Sequence, residues 1–167
     1  MKILVTGSAG FIGNHVSLRL LEDGHEVIGV DNLNSYYDVN LKHRRIERLT
    51  PYDNYINVPI DINDHVKLNK VFEKYKISQI IHLAAQAGVR YSIDNPMVYA
   101  DSNLTGFLNI LEGCRYLRPD HLIFASSSSV YGMNHKVPFS VSDNTDYPIS
   151  LYAATKRSNE LMAHAYS

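Results

Sequence analysis

The stretch that most constrains this chain is its beginning. Lys2-Ile3-Leu4-Val5-Thr6 is a short aliphatic, β-branched run that ends abruptly in Gly7-Ser8-Ala9-Gly10-Phe11-Ile12-Gly13. Such a run predicts a strand, a tight turn at the glycines, and a helix whose apolar positions Ile12, Val16 and Leu20 recur at helical spacing. Each glycine has its own task. Gly7 permits the turn, Gly10 lets backbone approach a pyrophosphate, and Gly13 lets helix and strand pack closely. The N–H groups at the helix start, with the positive end of its dipole, suit a doubly charged phosphate bridge. Alone, three such glycines also describe a plain strand-to-helix turn. The N-terminal position, the strand before them and an acid eighteen residues beyond Gly13 favour a dinucleotide loop. That acid, Asp31, ends a second strand, Glu26 to Val30. A carboxylate there accepts from both hydroxyls of an adenosine ribose and repels a 2′-phosphate, so the expected cofactor is NAD rather than NADP.

The rest of the chain alternates strand and helix. Asp23-Gly24-His25 reads as a helix C-cap turn. Asn32-Leu33-Asn34-Ser35 continues from Asp31 as a polar loop able to wrap an adenosine. Tyr36 to Leu49 is basic and partly helical, and Lys42, His43, Arg44, Arg45 and Arg48 read as a solvated face without a role. Tyr55 to Ile60 is a third strand; Asp61 or Asn63 caps the following helix, and Ile62 is placed to lie against an adenine ring or to pack. A fourth strand, Ile77 to Leu83, leaves through Ala84-Ala85-Gln86-Ala87-Gly88, small residues that make room for a cofactor or serve close packing. Arg90 follows in the same loop, a natural partner for carboxylate or phosphate. Pro96 opens a long helix to about Leu117, and Leu122 to Ala125 is a fifth strand running into Ser126-Ser127-Ser128-Ser129. Tyr131 to Ser150 reads as a long loop, and a last helix begins near Leu151.

Five alternations predict an α/β fold of Rossmann type, a doubly wound parallel sheet with helices on both faces and right-handed crossovers. Ligands in such sheets bind beyond the carboxyl ends of the strands, where strand order reverses. The glycine loop, Asp31, Asp61, Ala84 to Arg90 and the serine run are all expected at that edge. Residues 1–167 make one domain's worth of chain. With net charge −1, nothing marks a nucleic-acid or anionic membrane partner. No apolar run is long enough to span a bilayer, and no charged leader precedes a longer apolar stretch. The single cysteine, Cys114, forms no internal disulfide and fits a reducing cytoplasm. No metal site is expected.

Tyr152-Ala153-Ala154-Thr155-Lys156 places a phenol and an ammonium four residues apart on one helix face. A nearby ammonium favours the phenolate and brings tyrosine into range as a general base. Alone, the pair reads equally as a surface helix pair.

Glycine loop, acid after strand two, serines after strand five and Tyr-x-x-x-Lys stand here in one order. That order resembles the extended short-chain dehydrogenase/reductase family, and within it the nucleotide-sugar epimerases and dehydratases. The resemblance implies that Ser127, four residues before Tyr131 of Val130-Tyr131-Gly132, is the catalytic Ser/Thr, that Tyr152 is the base, and that Lys156 binds the nicotinamide ribose and lowers the tyrosine pKa. It implies NAD contacts at Gly7, Gly10, Phe11, Ile12, Gly13, Asp31, Asn32, Asn34, Ser35, Asp61, Ile62, Leu83, Ala84, Ala85, Ala87 and Asn103, and substrate contacts at Arg90, Ser127, Ser129 and Tyr152. Related dehydratases carry Thr-Asp-Glu before Val-Tyr-Gly; here those positions are Ser127, Ser128 and Ser129, so the acids that assist loss of water are missing. Ala85 to Ser92 and Asp31 to Tyr37 look like the UDP-glucuronate 4-epimerases, whereas the UDP-glucose/galactose 4-epimerases usually differ in the former loop and lack the Arg90 equivalent. The resemblance therefore implies epimerisation of a UDP-sugar at C4 through a transient 4-keto intermediate, with a uronate favoured, a neutral UDP-hexose second and a non-catalytic NAD-binding module third. It also implies a homodimer through the helices after Pro96 and at Tyr152. Relatives continue into a substrate domain, so residues 1–167 are expected to be an incomplete NAD-binding domain with weak or absent turnover.

Overall fold

Every strand is short and nearly all-apolar, the pattern of a parallel sheet covered on both faces. The computed structural model describes residues 1–167, and its elements are β1 (Lys2–Thr6), α1 (Phe11–Glu22), β2 (Glu26–Val30), α2 (Val39–Glu47), β3 (Tyr55–Val58), α3 (His65–Lys74), β4 (Gln79–His82), α4 (Tyr91–Asp94), α5 (Pro96–Tyr99), a π-helical segment Ala100–Thr105, α6 (Gly106–Leu117), β5 (His121–Phe124), a 3₁₀ turn Ser128–Tyr131 and α7 (Leu151–Tyr166). Side-chain and backbone contacts gather these into two compact units, Met1–Ala84 with Glu112–Phe124, and Ala85–Leu111 with Ala125–Ser167.

The first unit holds the whole sheet, all parallel, in the order β3-β2-β1-β4-β5. Strand order reverses at β1, between β2 on one side and β4 on the other, so the carboxyl end of β1 is the switch point. Ile3, Leu4 and Val5 are buried there, and Ile3 and Val5 join Leu21, Val27 and Leu49 in the core. The expected parallel Rossmann-type fold is what the chain adopts.

Three local expectations are corrected. The fully buried residues of α1 are Gly13, Asn14, Ser17 and Leu21; of the expected apolar positions Leu20 packs partly buried against the core, Val16 is half-buried, and Ile12 is 60% exposed. Close approach explains it, because a Cβ on Gly13 would lie 2.0 Å from the carbonyl oxygen of Gly7. Only small side chains fit that seam, and its one polar amide is satisfied: Asn14 Nδ2 donates to the Arg45 carbonyl at 2.7 Å and its Oδ1 accepts from Arg48 at 3.1 Å. The cap of α3 is Asp64, whose carboxylate accepts from Lys67 N at 3.0 Å, not Asp61 or Asn63. The helix that starts at Pro96 changes pitch, passing from α5 through the π-helical segment into α6.

In the second unit, Tyr99 and Phe107 are fully buried, and Ile110, Val130 and Ala153 are buried as well. Ser150 caps α7, accepting from Ala153 N at 3.0 Å. No helix of the structure is long and apolar enough to cross a membrane.

Close packing in the first unit is testable at Gly113, where an added Cβ would lie 2.0 Å from the ring of Phe72. Gly113→Ala is expected to lower the unfolding free energy by about 1–3 kcal/mol, the usual overpacking penalty. Urea unfolding with an unchanged midpoint would contradict that packing.

Candidate functional site

The first unit assembles its predicted residues at the carboxyl ends of β1 to β4. Gly7 adopts φ +71°, and a Cβ there would lie 2.8 Å from Ala84 N and 2.9 Å from the Leu83 carbonyl carbon. The N–H groups of Gly7 and Ser8 both donate to the Val30 carbonyl, at 2.7 and 3.2 Å, which closes the turn against β2. Gly10 caps α1 in extended conformation and offers no side-chain acceptor. The first N–H groups of α1 therefore keep their donors for an anion. Behind the turn, Thr6 Oγ1 accepts from Leu83 N at 3.2 Å and Ala84 N at 3.1 Å. The same hydroxyl is hydrogen-bonded to His82 Nδ1 at 2.7 Å.

Asp31 is buried and pinned. Its Oδ2 accepts from Ala9 N at 3.2 Å, and its Oδ1 accepts from Leu33 N at 2.9 Å. Each oxygen keeps a lone pair for a ribose hydroxyl. Asn32 Nδ2 donates to Asp61 Oδ2 at 2.7 Å, tying the loops after β2 and β3 together, and Asp61 Oδ1 accepts from Asn63 N at 2.8 Å. Ile62 is buried; Ser35 is exposed; Phe11 and Ile12 are exposed on the first turn of α1.

The basic stretch is a solvated face at His43, Arg44 and Arg48, as expected from its charge, but not at Lys42 and Arg45. Lys42 is buried, with Nζ 3.6 Å from Asp31 Oδ1 and donating to Asn34 Oδ1 at 3.0 Å. Arg45 reaches the Ala9 carbonyl at 3.3 Å and the Tyr37 hydroxyl at 2.9 Å, and its guanidinium lies over the Phe11 ring. The signal was present: Lys42 and the buried Ile46 are four apart, so the lysine shares the inward face of α2.

The second unit gathers the other set. Ser127 caps the 3₁₀ turn in extended conformation, its Oγ accepting from Ser129 N at 3.1 Å, which leaves the hydroxyl proton to donate elsewhere. Ser126 Oγ donates to Glu160 Oε1 at 2.5 Å, fastening the serine run to α7, the helix that carries Tyr152 and Lys156. Tyr152 is half-buried, edge-to-face with Tyr99 at 6.1 Å. Lys156 is buried without a carboxylate partner, and desolvation pushes its pKa down to about 8. Asn103 lies in the π-helical segment and clamps the loop after β4: Oδ1 accepts from Gln86 N at 2.8 Å, and Nδ2 donates to Gln86 O and to Thr155 Oγ1, both at 3.0 Å. Both amide protons are thus committed, and only a lone pair of Oδ1 is left for a ligand. Ala85, Ala87 and Arg90 are exposed, Arg90 at the start of α4. Cys114 is held inert by burial, its thiol pushed up to about 11.

Comparison with known proteins agrees with this geometry. The family model described as GDP-mannose 4,6 dehydratase matches residues 4–167, and the chain belongs to that family, part of the extended short-chain dehydrogenase/reductases. A probable UDP-glucuronate 4-epimerase of Rhizobium meliloti is 50% identical over 167 residues, which cover 100% of this chain and 49% of that protein. The crystal structure of a UDP-glucuronic acid 4-epimerase from Bacillus cereus, in complex with UDP-glucuronic acid and NAD, is similar with a TM-score of 0.88 and 35% identity, covering 99% of this chain and 52% of that one. A UDP-glucose 4-epimerase from Thermotoga maritima, with UDP-glucose, matches with a TM-score of 0.87 and 36% identity over 99% of this chain and 51% of that one. The chain spans about half the length of the curated relatives it matches.

Lys156 makes a pH prediction. Its folded pKa of about 8 lies below the ordinary 10.5. The fold therefore carries a buried-charge penalty below about pH 8 that is relieved as pH rises toward 10.5. At roughly 1.4 kcal/mol per tenfold in proton affinity, the full difference is about 3 kcal/mol. Without cofactor, the wild type should gain stability relative to Lys156→Met between about pH 8 and 10. A difference that stays flat across that range would contradict the burial.

Proposed function

We propose that the protein to which this chain belongs is an NAD-dependent nucleotide-sugar epimerase that interconverts UDP-glucuronate and UDP-galacturonate at C4. What supports the reading is that Asp31 and the glycine cradle fit an adenosine diphosphate, while Ser127, Tyr152 and Lys156 supply a hydroxyl donor, a base and a cation in the family's order. The Bacillus cereus structure, with its uronate and NAD, supports the choice of sugar.

In this reading Gly7, Gly10, Gly13 and the start of α1 hold the pyrophosphate, with Phe11 and Ile12 on the same turn. Asp31, Asn32, Asn34 and Ser35 take the adenosine ribose side, and Asp61 and Ile62 the adenine. Leu83, Ala84, Ala85 and Ala87 line the way to the nicotinamide, and Asn103 serves by holding Gln86 and Ala87 in place. Bound NAD supplies hydride acceptance and return at C4. Tyr152, as phenolate, takes the proton of the 4-hydroxyl and later gives it back. Ser127 donates to the 4-keto oxygen as charge develops there, with Ser129 beside it. The Lys156 ammonium favours the phenolate electrostatically and holds the nicotinamide ribose. Arg90 is exposed and carries a full charge toward the sugar carboxylate. No step consumes oxidant, since the hydride removed is returned to the opposite face of the same carbon.

Pairing of two copies through α5, α6 and α7 belongs to the same reading; Met97 and Leu161 on these helices are 68% and 55% exposed. So does a cytoplasmic location, which a lone unpaired cysteine fits. A neutral UDP-hexose is the second reading, favoured by the equally similar UDP-glucose 4-epimerase structure.

The test uses protein made from its complete reading frame, incubated separately with UDP-glucuronate and UDP-glucose without added NAD. Conversion of the glucuronate alone, resolved as C4 epimers by chromatography, is the expected result. Conversion of the glucose compound alone moves the assignment to the neutral sugar, and conversion of neither with NAD supplied defeats both. Tyr152→Phe is expected to lower kcat at least about a hundredfold, and Arg90→Ala to erase preference for the uronate.

A further inference from the structure

The charges around Asp31 carry an inference that rests on the cofactor reading above and deepens it. An NAD site normally rejects NADP through an acid at the ribose, and a site that accepts NADP replaces that acid by a cation. Here both are present. The Asp31 carboxylate and the Lys42 ammonium are 3.6 Å apart, with side chains 8% and 5% exposed. Lys42 has little else to satisfy it: Asn34 Oδ1 at 3.0 Å, and the face of Tyr37 at 4.9 Å. Arg45 joins the cluster from the next turn of α2, its Nη1 3.3 Å from the carbonyl of Ala9. The N–H of that same Ala9 donates to Asp31 Oδ2. One cation thus pairs directly with the carboxylate, and a second is anchored to Ala9, the residue whose N–H binds that carboxylate.

We propose that Lys42 and Arg45 form a latent 2′-phosphate site, which the Asp31 carboxylate occupies and thereby keeps closed to NADP. Burial supplies the driving force. A buried ammonium that loses its counter-ion is left uncompensated, a state far less favourable than the pair. Neutralising Asp31 therefore does more than remove a repulsion. It leaves a desolvated cation in need of an anion, and a 2′-phosphate is a dianionic group with three strong acceptors. Cofactor choice in this chain is accordingly a balance between one carboxylate and two cations already in place, and one substitution inverts it. Lys42 is a specificity-determining residue in this account, and its effect on NADP depends on Asp31.

The test is calorimetric titration of the 167-residue chain with NAD and with NADP at low ionic strength, which reads binding without turnover. Wild type should bind NAD more tightly. Asp31→Asn should weaken NAD and raise NADP affinity at least about tenfold, an effect that added salt reduces. Adding Lys42→Met to Asp31→Asn should remove that gain, whereas Lys42→Arg should keep it; circular dichroism checks that each variant is folded. A gain for NADP that survives both Lys42→Met and Arg45→Ala, or no gain at all while wild type binds NAD, overturns the inference and leaves the cofactor reading intact. Wild type that binds neither dinucleotide overturns the cofactor reading, and this inference with it.

Discussion

The structure depends on one contact that a methyl group would destroy. A Cβ on Gly13 would sit 2.0 Å from the Gly7 carbonyl oxygen, far inside any allowed contact. Because glycine is there, α1 can descend onto the turn after β1, and the consequences spread from that point. The helix seam admits only Gly13, Asn14 and Ser17 before a full-sized side chain, Leu21, reaches the core. The turn closes against β2 through two N–H groups on the Val30 carbonyl. Ala9 is then in place to donate to Asp31, so the acid that follows β2 is positioned by the glycine turn that follows β1. The fold and the proposed ligand geometry therefore share one constraint in this unit.

Much of this was legible beforehand for a physical reason: parallel strands and glycine turns announce themselves through local sequence. The apolar runs gave β1 to β5, and the glycine spacing, with Asp31 at the end of β2, gave the switch point. What was hidden depends on approach distance and on long-range partners. Periodicity predicted Ile12 on the buried face of α1, but periodicity cannot say how near the helix lies to the sheet, and nearness chose the small residues. Charge predicted a solvated α2, yet Lys42 is interior because Asp31, eleven residues earlier in the chain, is there to meet it. Asn103 carried no local signal at all. Its clamp on Gln86 and Thr155 needs residues seventeen and fifty-two positions away, and a π-helical segment to aim it.

The second unit adds polar ties to its apolar core. Glu160 holds Ser126, Asn159 donates to the Asn103 carbonyl at 2.6 Å, and Tyr99 directs its hydroxyl at the carbonyls of Ala87 and Gly88. The bonds of Glu160 and Tyr99 each fasten a loop to a helix, and that of Asn159 fastens α7 to the π-helical segment. Loops that carry reactive groups gain precision this way, since a hydrogen bond fixes direction and apolar packing alone does not.

The two buried lysines are treated in opposite ways, and the contrast bears on what each is for. Lys42 has a carboxylate beside it, so its burial is compensated. Lys156 has none, and desolvation alone brings it down to about 8, a strained state that no packing need explains. Methionine would fill a similar volume without that penalty. At neutral pH the chain gives up stability to keep this uncompensated ammonium on α7, one helical turn from Tyr152. The ammonium remains mostly protonated near pH 7, because about 8 is still above it. In the function proposed above, that retained charge is what favours the phenolate. Pairing it with a carboxylate would have offset part of the desolvation penalty.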